Sequence, residues 1–115
     1  MSQYNLERIF NPGRVAVVGA SETTGSIGNA LMKNLIDGGF PKTLLPVNPK
    51  YNTVHGLAVY KSIRDLEPGV DLAIIATPIH TVPGIVQECV ERKVAGAIVI
   101  SAGGKEVGEE GKLIE

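Results

Sequence analysis

The sequence predicts an α/β fold: a Rossmann-like open parallel sheet of about five strands, ordered 3-2-1-4-5, with helices on both faces. Three observations lead there. Short β-branched runs alternate with stretches of helical periodicity along the whole chain. One run, Val70 to Ala76, is almost continuously apolar, as a central parallel strand covered on both faces must be. A glycine-rich turn directly follows the first run and opens a helix.

Length and composition bound the rest. A chain of 115 residues is enough for one domain with a core of its own. Eleven Lys and Arg stand against 12 acids for a net charge of -1, with no basic run, which disfavours a nucleic-acid or membrane partner. The apolar runs fall far short of the ~20 residues of a membrane span. A basic-then-apolar leader is absent from the first residues, so a cytoplasmic location is expected. Cys89 is the single cysteine and falls on the apolar side of a helix, the place of a small buried hydrophobe.

In chain order, Leu6, Ile9 and Phe10 before Asn11-Pro12-Gly13 read as a helical lead-in closed by a turn. Val15 to Val18 is the first strand and stops at Gly19. Ile27, Ala30, Leu31, Leu35 and Ile36 define the first helix, which Gly38-Gly39 terminates. Between them lie Gly19, Gly25 and Gly28 with Ser21, Thr23, Thr24 and Ser26. Glycine lets backbone pass close to a ligand and a helix pack tightly on a strand, and a helix N-terminus carries roughly +0.5 of a charge that favours phosphate. The hydroxyls suit phosphate oxygens or the helix cap. Five residues separate Gly19 from Gly25, so this loop is longer than the Gly-x-Gly-x-x-Gly turn of NAD binders; only Gly25-Ser-Ile-Gly28 keeps the usual interval.

Thr43 to Val47 is the second strand, with Pro46 near its end. In a Rossmann unit the end of this strand meets the ribose, where NAD binders place an acid. Here Asn48, Pro49 and Lys50 occupy it. A lysine attracts a phosphorylated ribose that an acid would repel, so the residues point to coenzyme A or NADP. Tyr51 to Gly56 reads as polar loop, Leu57 to Tyr60 as a short third strand, and Ser62 to Leu66 as a helical turn with Ser62 as its cap. After the central strand comes the loop Thr77-Pro78-Ile79-His80, then a helix carrying Val82, Ile85, Val86, Cys89 and Val90 on one face with Thr81 as N-cap. Ala97 to Ser101 is the fifth strand, Ser101 to Lys105 the loop after it, and Glu106 to Glu115 the opening of another helix. With strands one and four adjacent, the four loops after strands one, two, four and five converge on one crevice.

Taken together, Val-Val-Gly-Ala-Ser-x3-Gly-x2-Gly-Asn at 17 to 29, Asn-Leu-x3-Gly-Phe at 34 to 40, Pro-Val-Asn-Pro-Lys at 46 to 50, Ser-Ala-Gly at 101 to 103 and Glu-Val-Gly-Glu-Glu-Gly at 106 to 111 carry a family resemblance. The chain resembles, over nearly its whole length, the CoA-binding domain of NDP-forming acyl-CoA synthetases, typified by ADP-forming acetate–CoA ligase and related to the succinyl-CoA synthetase α subunit. The resemblance implies coenzyme A across the sheet edge. Its phosphates would lie by Gly19, Ser21, Thr24, Gly25, Ser26 and Gly28, and its adenosine end by Asn48, Pro49 and Lys50. Its pantetheine arm would pass Thr77 and Pro78 toward Ser101, Ala102 and Gly103. Gly104 stands where the family usually has phenylalanine.

The resemblance also implies a reaction that makes acyl-CoA, ADP and phosphate from acid, CoA and ATP through an acyl phosphate and a phosphohistidine. That histidine belongs to a later domain, and neither His55 nor His80 stands at its position, so the chain by itself is expected to be inactive and to be an N-terminal piece of a larger multidomain protein. Its expected partners are CoA and the remaining ligase domains or subunits. Three other parents share parts of the pattern. One is the ligase-like regulatory half of a protein lysine acetyltransferase. Another is an NADP-binding oxidoreductase domain, which would need an acid/base pair of which only His80 is visible. The last is a stand-alone CoA-binding protein.

Overall fold

The computed structural model describes residues 12–39 and 43–100. The lead-in around Leu6 to Phe10, the Ser101 to Lys105 loop and the tail from Glu106 lie outside these residues.

Strand β1 (Arg14–Val18) is followed by helix α1 (Ile27–Asp37) and strand β2 (Thr43–Val47). Two short strands, β3 (Thr53–Val54) and β4 (Leu57–Ala58), precede a 3-10 turn at Ile63–Asp65 and strand β5 (Leu72–Ile75). A second 3-10 turn at Ile79–Thr81 runs into helix α2 (Val82–Glu91), and β6 (Gly96–Val99) follows. The order β2-β1-β5-β6 makes a four-stranded sheet whose pairings are all parallel. Its order is the expected one, reversing direction of growth between β1 and β5.

The outermost strand differs from expectation. Leu57 to Tyr60 lies against β2 but forms no ladder with it; Leu57 and Ala58 pair with Val54 and Thr53 as an antiparallel hairpin. Pairing with β2 is limited to Tyr60, through a single parallel bridge to Val47. The cause is the turn between the two short strands. His55 (φ 50°) and Gly56 (φ 82°) are both left-handed, the backbone of a two-residue hairpin turn whose twist matches its flanking strands. The segment expected to be polar loop is therefore half of this hairpin.

Each face of the sheet has its own core. Ala16, Val18, Leu45, Val47, Ala73 and Ile75 pack with Ile63, Leu66, Val70 and Cys89, beneath Val82 and Ile85 of α2. On the other face Val17, Ala20, Met32 and Val54 pack with Leu31 and Leu35 of α1 and with Tyr51, Leu57 and Val59. Burying a side chain such as Met32 contributes about 1.5–3 kcal/mol. Cys89 takes the small-hydrophobe role, and burial pushes its thiol pKa up.

The helix ends follow local chemistry. Ser26 caps α1, its hydroxyl accepting from the Asn29 amide at 3.1 Å, and Gly38 and Gly39 close it with bonds to Asn34 and Ile36. Ser62 accepts from the Arg64 amide at 3.0 Å, as expected of a cap. Thr81 does not cap α2: its hydroxyl donates back to the Pro78 carbonyl at 2.6 Å. The preceding 3-10 turn already delivers the chain in helical conformation (Thr81 φ -89°, ψ -14°), so its hydroxyl cannot reach forward to the first-turn amides.

Candidate functional site

The carboxyl ends of β1 and β5 approach so closely that no side chain fits between them. A Cβ on Gly19 (φ +93°) would stand 2.7 Å from the Ala76 carbonyl oxygen, and one on Gly28 would stand 1.9 Å from the Gly19 oxygen. Gly28 thus lets the first turn of α1 rest directly on the strand end, and Gly19 turns the backbone into the loop. Within that loop Ser21 is buried; its hydroxyl accepts from the Thr23 amide at 2.8 Å. Ser26 donates to the Thr23 carbonyl at 2.8 Å while capping α1. Thr24 and Gly25 are exposed, and the amides of Thr24, Gly25, Ile27 and Gly28 have no hydrogen-bond partner among the described residues. Those amides, at the positive end of an 11-residue helix, are what an anion requires.

Asn48 occupies the place where NAD binders carry an acid, and its bonds explain the amide. Its Nδ2 donates to the Ala20 carbonyl at 2.9 Å while its Oδ1 accepts from the Lys50 amide at 2.9 Å. A carboxylate cannot make the first bond. Asn48 thereby joins the end of β2 to the root of the glycine loop. Pro49 and Lys50 are exposed beside it.

A cavity of about 620 Å³ opens at this edge, where the strand order reverses. Val18, Val47, Ile63, Ala76 and Ile85 form its apolar floor. Of the residues singled out in the sequence, Gly19, Asn48, Pro49, Lys50, Thr77 and Pro78 line it, whereas Ser21, Thr24, Gly25, Ser26 and Gly28 do not. The latter form the turn at the start of α1, which the Asn48 bond to Ala20 holds to the cavity rim. Ser101, Ala102 and Gly103 fall outside the described residues.

Sequence reasoning missed part of the wall. Lys61, Ser62, Thr81, Ile85 and Glu88 also face the cavity. Lys61 Nζ donates to the Tyr51 carbonyl at 2.7 Å and to Asn52 Oδ1 at 3.0 Å, fixing a second cation at the rim. Ser62 donates to Glu88 Oε1 at 2.9 Å. Thr81, just before α2, and Ile85 and Glu88 on it recur at helical spacing, but Thr81 was read only as a cap and Ile85 only as an apolar residue. His80 is exposed at the rim. The described residues contain no cluster of three His, Cys, Asp or Glu able to hold a metal, and no helix long and apolar enough to cross a membrane.

Comparison with known proteins places the chain by family and by fold. Residues 13–111 match the family described as CoA binding domain. An ADP-forming acetate–CoA ligase of Methanocaldococcus jannaschii is 46% identical over 105 residues, covering 91% of this chain and 15% of that protein. The ADP-forming acetate–CoA ligase I subunit alpha of Pyrococcus furiosus is 43% identical, covering 96% of this chain and 25% of the subunit. Among solved structures, the dinucleotide-forming acetyl-coenzyme A synthetase 1 of Ca. Korarchaeum cryptofilum, in complex with phosphate and ADP, superposes with a TM-score of 0.81 at 40% identity, over 95% of this chain and 24% of that one. The chain thus spans 15% and 16% of the length of the first two curated ligases it matches.

Proposed function

The chain belongs to the CoA-binding domain family, and from that premise we propose that it holds coenzyme A for an ADP-forming acyl-CoA ligase. The remaining ligase domains, which make up more than four-fifths of the length of these two relatives, would carry the phosphohistidine and the ATP site. The proposed reaction is acid + CoA + ATP to acyl-CoA + ADP + phosphate, with the domain alone inactive.

The observation that carries the reading is the pairing of unbonded amides at the start of α1 with an apolar cavity rimmed by Lys50 and Lys61. CoA has matching parts: a diphosphate for the amides, a phosphorylated ribose for a lysine, and an adenine with a largely apolar face for the floor. In this assignment Gly19, Gly25 and Gly28 shape the anion turn, with Ser21, Thr24 and Ser26 around it. Asn48, Pro49 and Lys50 serve the adenosine end, and Thr77, Pro78 and Ser101 to Gly103 the pantetheine arm. NADP also has a diphosphate and a phosphorylated ribose, so the test includes it.

Calorimetry of the protein with CoA, dephospho-CoA and NADP separates these ligands. CoA is expected to bind, and dephospho-CoA to bind about tenfold less tightly, the worth of one charge-assisted contact at a partly exposed site. Lys50→Ala should close that gap. Equal affinity for CoA and dephospho-CoA in the unsubstituted protein removes Lys50 from the reading, and NADP binding tighter than CoA transfers the site to an oxidoreductase.

A further inference from the structure

A single phenol ties the glycine turn to the segment that carries Lys50. The Tyr51 hydroxyl lies 3.2 Å from Ser21 Oγ and 3.0 Å from Thr23 Oγ1. Four residues further on, the His55 amide donates to Glu22 Oε2 at 2.5 Å and the His55 ring lies 2.8 Å, Nε2 to Oδ1, from Asn29 in the first turn of α1. With the Asn48 bond to Ala20, contacts from the stretch 48–55 grip the turn at its root, its middle and its exit into the helix. Chain reversal needs none of these, because the hairpin and the helix cap close through their own residues.

We propose that Tyr51 is a positioning residue that sets the separation between the anion turn and Lys50, so that the diphosphate and the ribose phosphate of one ligand are engaged together. The inference rests on the CoA reading above. Lys50 and Tyr51 are consecutive, so the backbone carrying the lysine is anchored on one side by Asn48 and on the other by the phenol. Once the phenol is released, Asn48 and His55 still tie the two segments, but the middle of the turn around Ser21 and Thr23 is freed to shift relative to the lysine. A ligand seated at one then no longer finds the other at the right distance, and the contribution of the third phosphate shrinks although Lys50 is intact.

Tyr51→Phe keeps the ring, which packs in the second core, and removes only the hydroxyl. Three measurements are made on the unsubstituted protein and this variant: the melting temperature, hydrogen exchange of the amides from Ser21 to Gly28, and calorimetric affinity for CoA and dephospho-CoA. The variant is expected to melt cooperatively and to exchange faster across the turn. It should bind CoA about five- to tenfold more weakly, the loss one hydrogen bond can produce, with a smaller loss for dephospho-CoA. The preference for CoA therefore narrows, and in combination with Lys50→Ala the losses are less than additive. If both ligands weaken equally and the preference stands, Tyr51 is merely structural and the inference is overturned while the CoA reading survives. If the unsubstituted protein shows no preference between the ligands, the CoA assignment of Lys50 falls and the inference falls with it.

Discussion

At the residue scale, Asn48 joins two segments through the two ends of one amide. Because Nδ2 donates to Ala20 and Oδ1 accepts from Lys50, the side chain must offer both a donor and an acceptor. Asn48→Asp restores the acid found in NAD binders but sets a carboxylate against the Ala20 carbonyl. It is expected to cost about 1–3 kcal/mol, read as a lower denaturant midpoint with an unchanged slope, and not to confer NAD binding. Tyr51 supplies a second residue-level test. Hydrogen bonds from Ser21 and then Thr23 favour the phenolate and lower its pKa from the ordinary 10.0. Ultraviolet titration should reveal a tyrosine ionising early, and Tyr51→Phe should abolish that step. Because the folded-state pKa is the lower one, the unfolded chain binds more protons between it and 10.0. The native protein should therefore gain stability relative to Tyr51→Phe as pH rises through that interval and lose the advantage as pH falls through the folded value.

At the scale of elements, the strand, turn and first helix act as one device, and Gly28 is the position where that can be measured. Alanine inside a helix ordinarily gains about 1 kcal/mol over glycine. Here the added Cβ would stand 1.9 Å from the Gly19 oxygen, a main-chain atom that can move only if β1 or α1 moves. Displacing packed elements costs on the order of 3 kcal/mol, so the clash outweighs the propensity, and Gly28→Ala should lower the melting temperature and abolish CoA binding. Gly25→Ala makes the useful contrast, since a Cβ there meets nothing within 4 Å and only the φ of +89° is strained. It should keep the fold and weaken binding less. The same elements show what was legible beforehand. The apolar run into Gly19 and the Gly38-Gly39 stop are local patterns, and each forms where it was read; of the four hydroxyls read as phosphate ligands or a cap, Ser26 is the one that caps. Leu57 to Tyr60 has a strand's composition, yet composition does not name a partner. The left-handed pair His55-Gly56 chose Thr53–Val54 over β2, and a non-glycine residue with positive φ is uncommon enough that the sequence did not announce the turn. The Tyr51 and His55 contacts were invisible for a related reason: their partners lie 26 to 33 residues away, beyond any periodicity a linear reading can detect.

Across the whole molecule the charges nearly cancel, at 11 basic against 12 acidic side chains, so no long-range field draws in a polyanion. On the proposed CoA reading, affinity for so negative a ligand would come from short-range groups: the amides of the turn and the cations at the cavity rim. These two sources respond differently to salt. Main-chain amides of the turn would bond directly to the anion and be screened little. Lys50 is exposed, so its attraction to a phosphate would act through water, where the screening length is about 8 Å at 0.15 M salt and shortens to about 3 Å at 1 M. Raising salt from about 0.05 M to about 0.5 M should therefore weaken CoA several-fold and dephospho-CoA distinctly less. Lys50→Ala should flatten the CoA dependence to that of dephospho-CoA. Parallel salt dependences for the two ligands in the unsubstituted protein would mean that the ribose phosphate points away from the lysine, and that the amides at the start of α1 and the apolar floor bind the nucleotide without it.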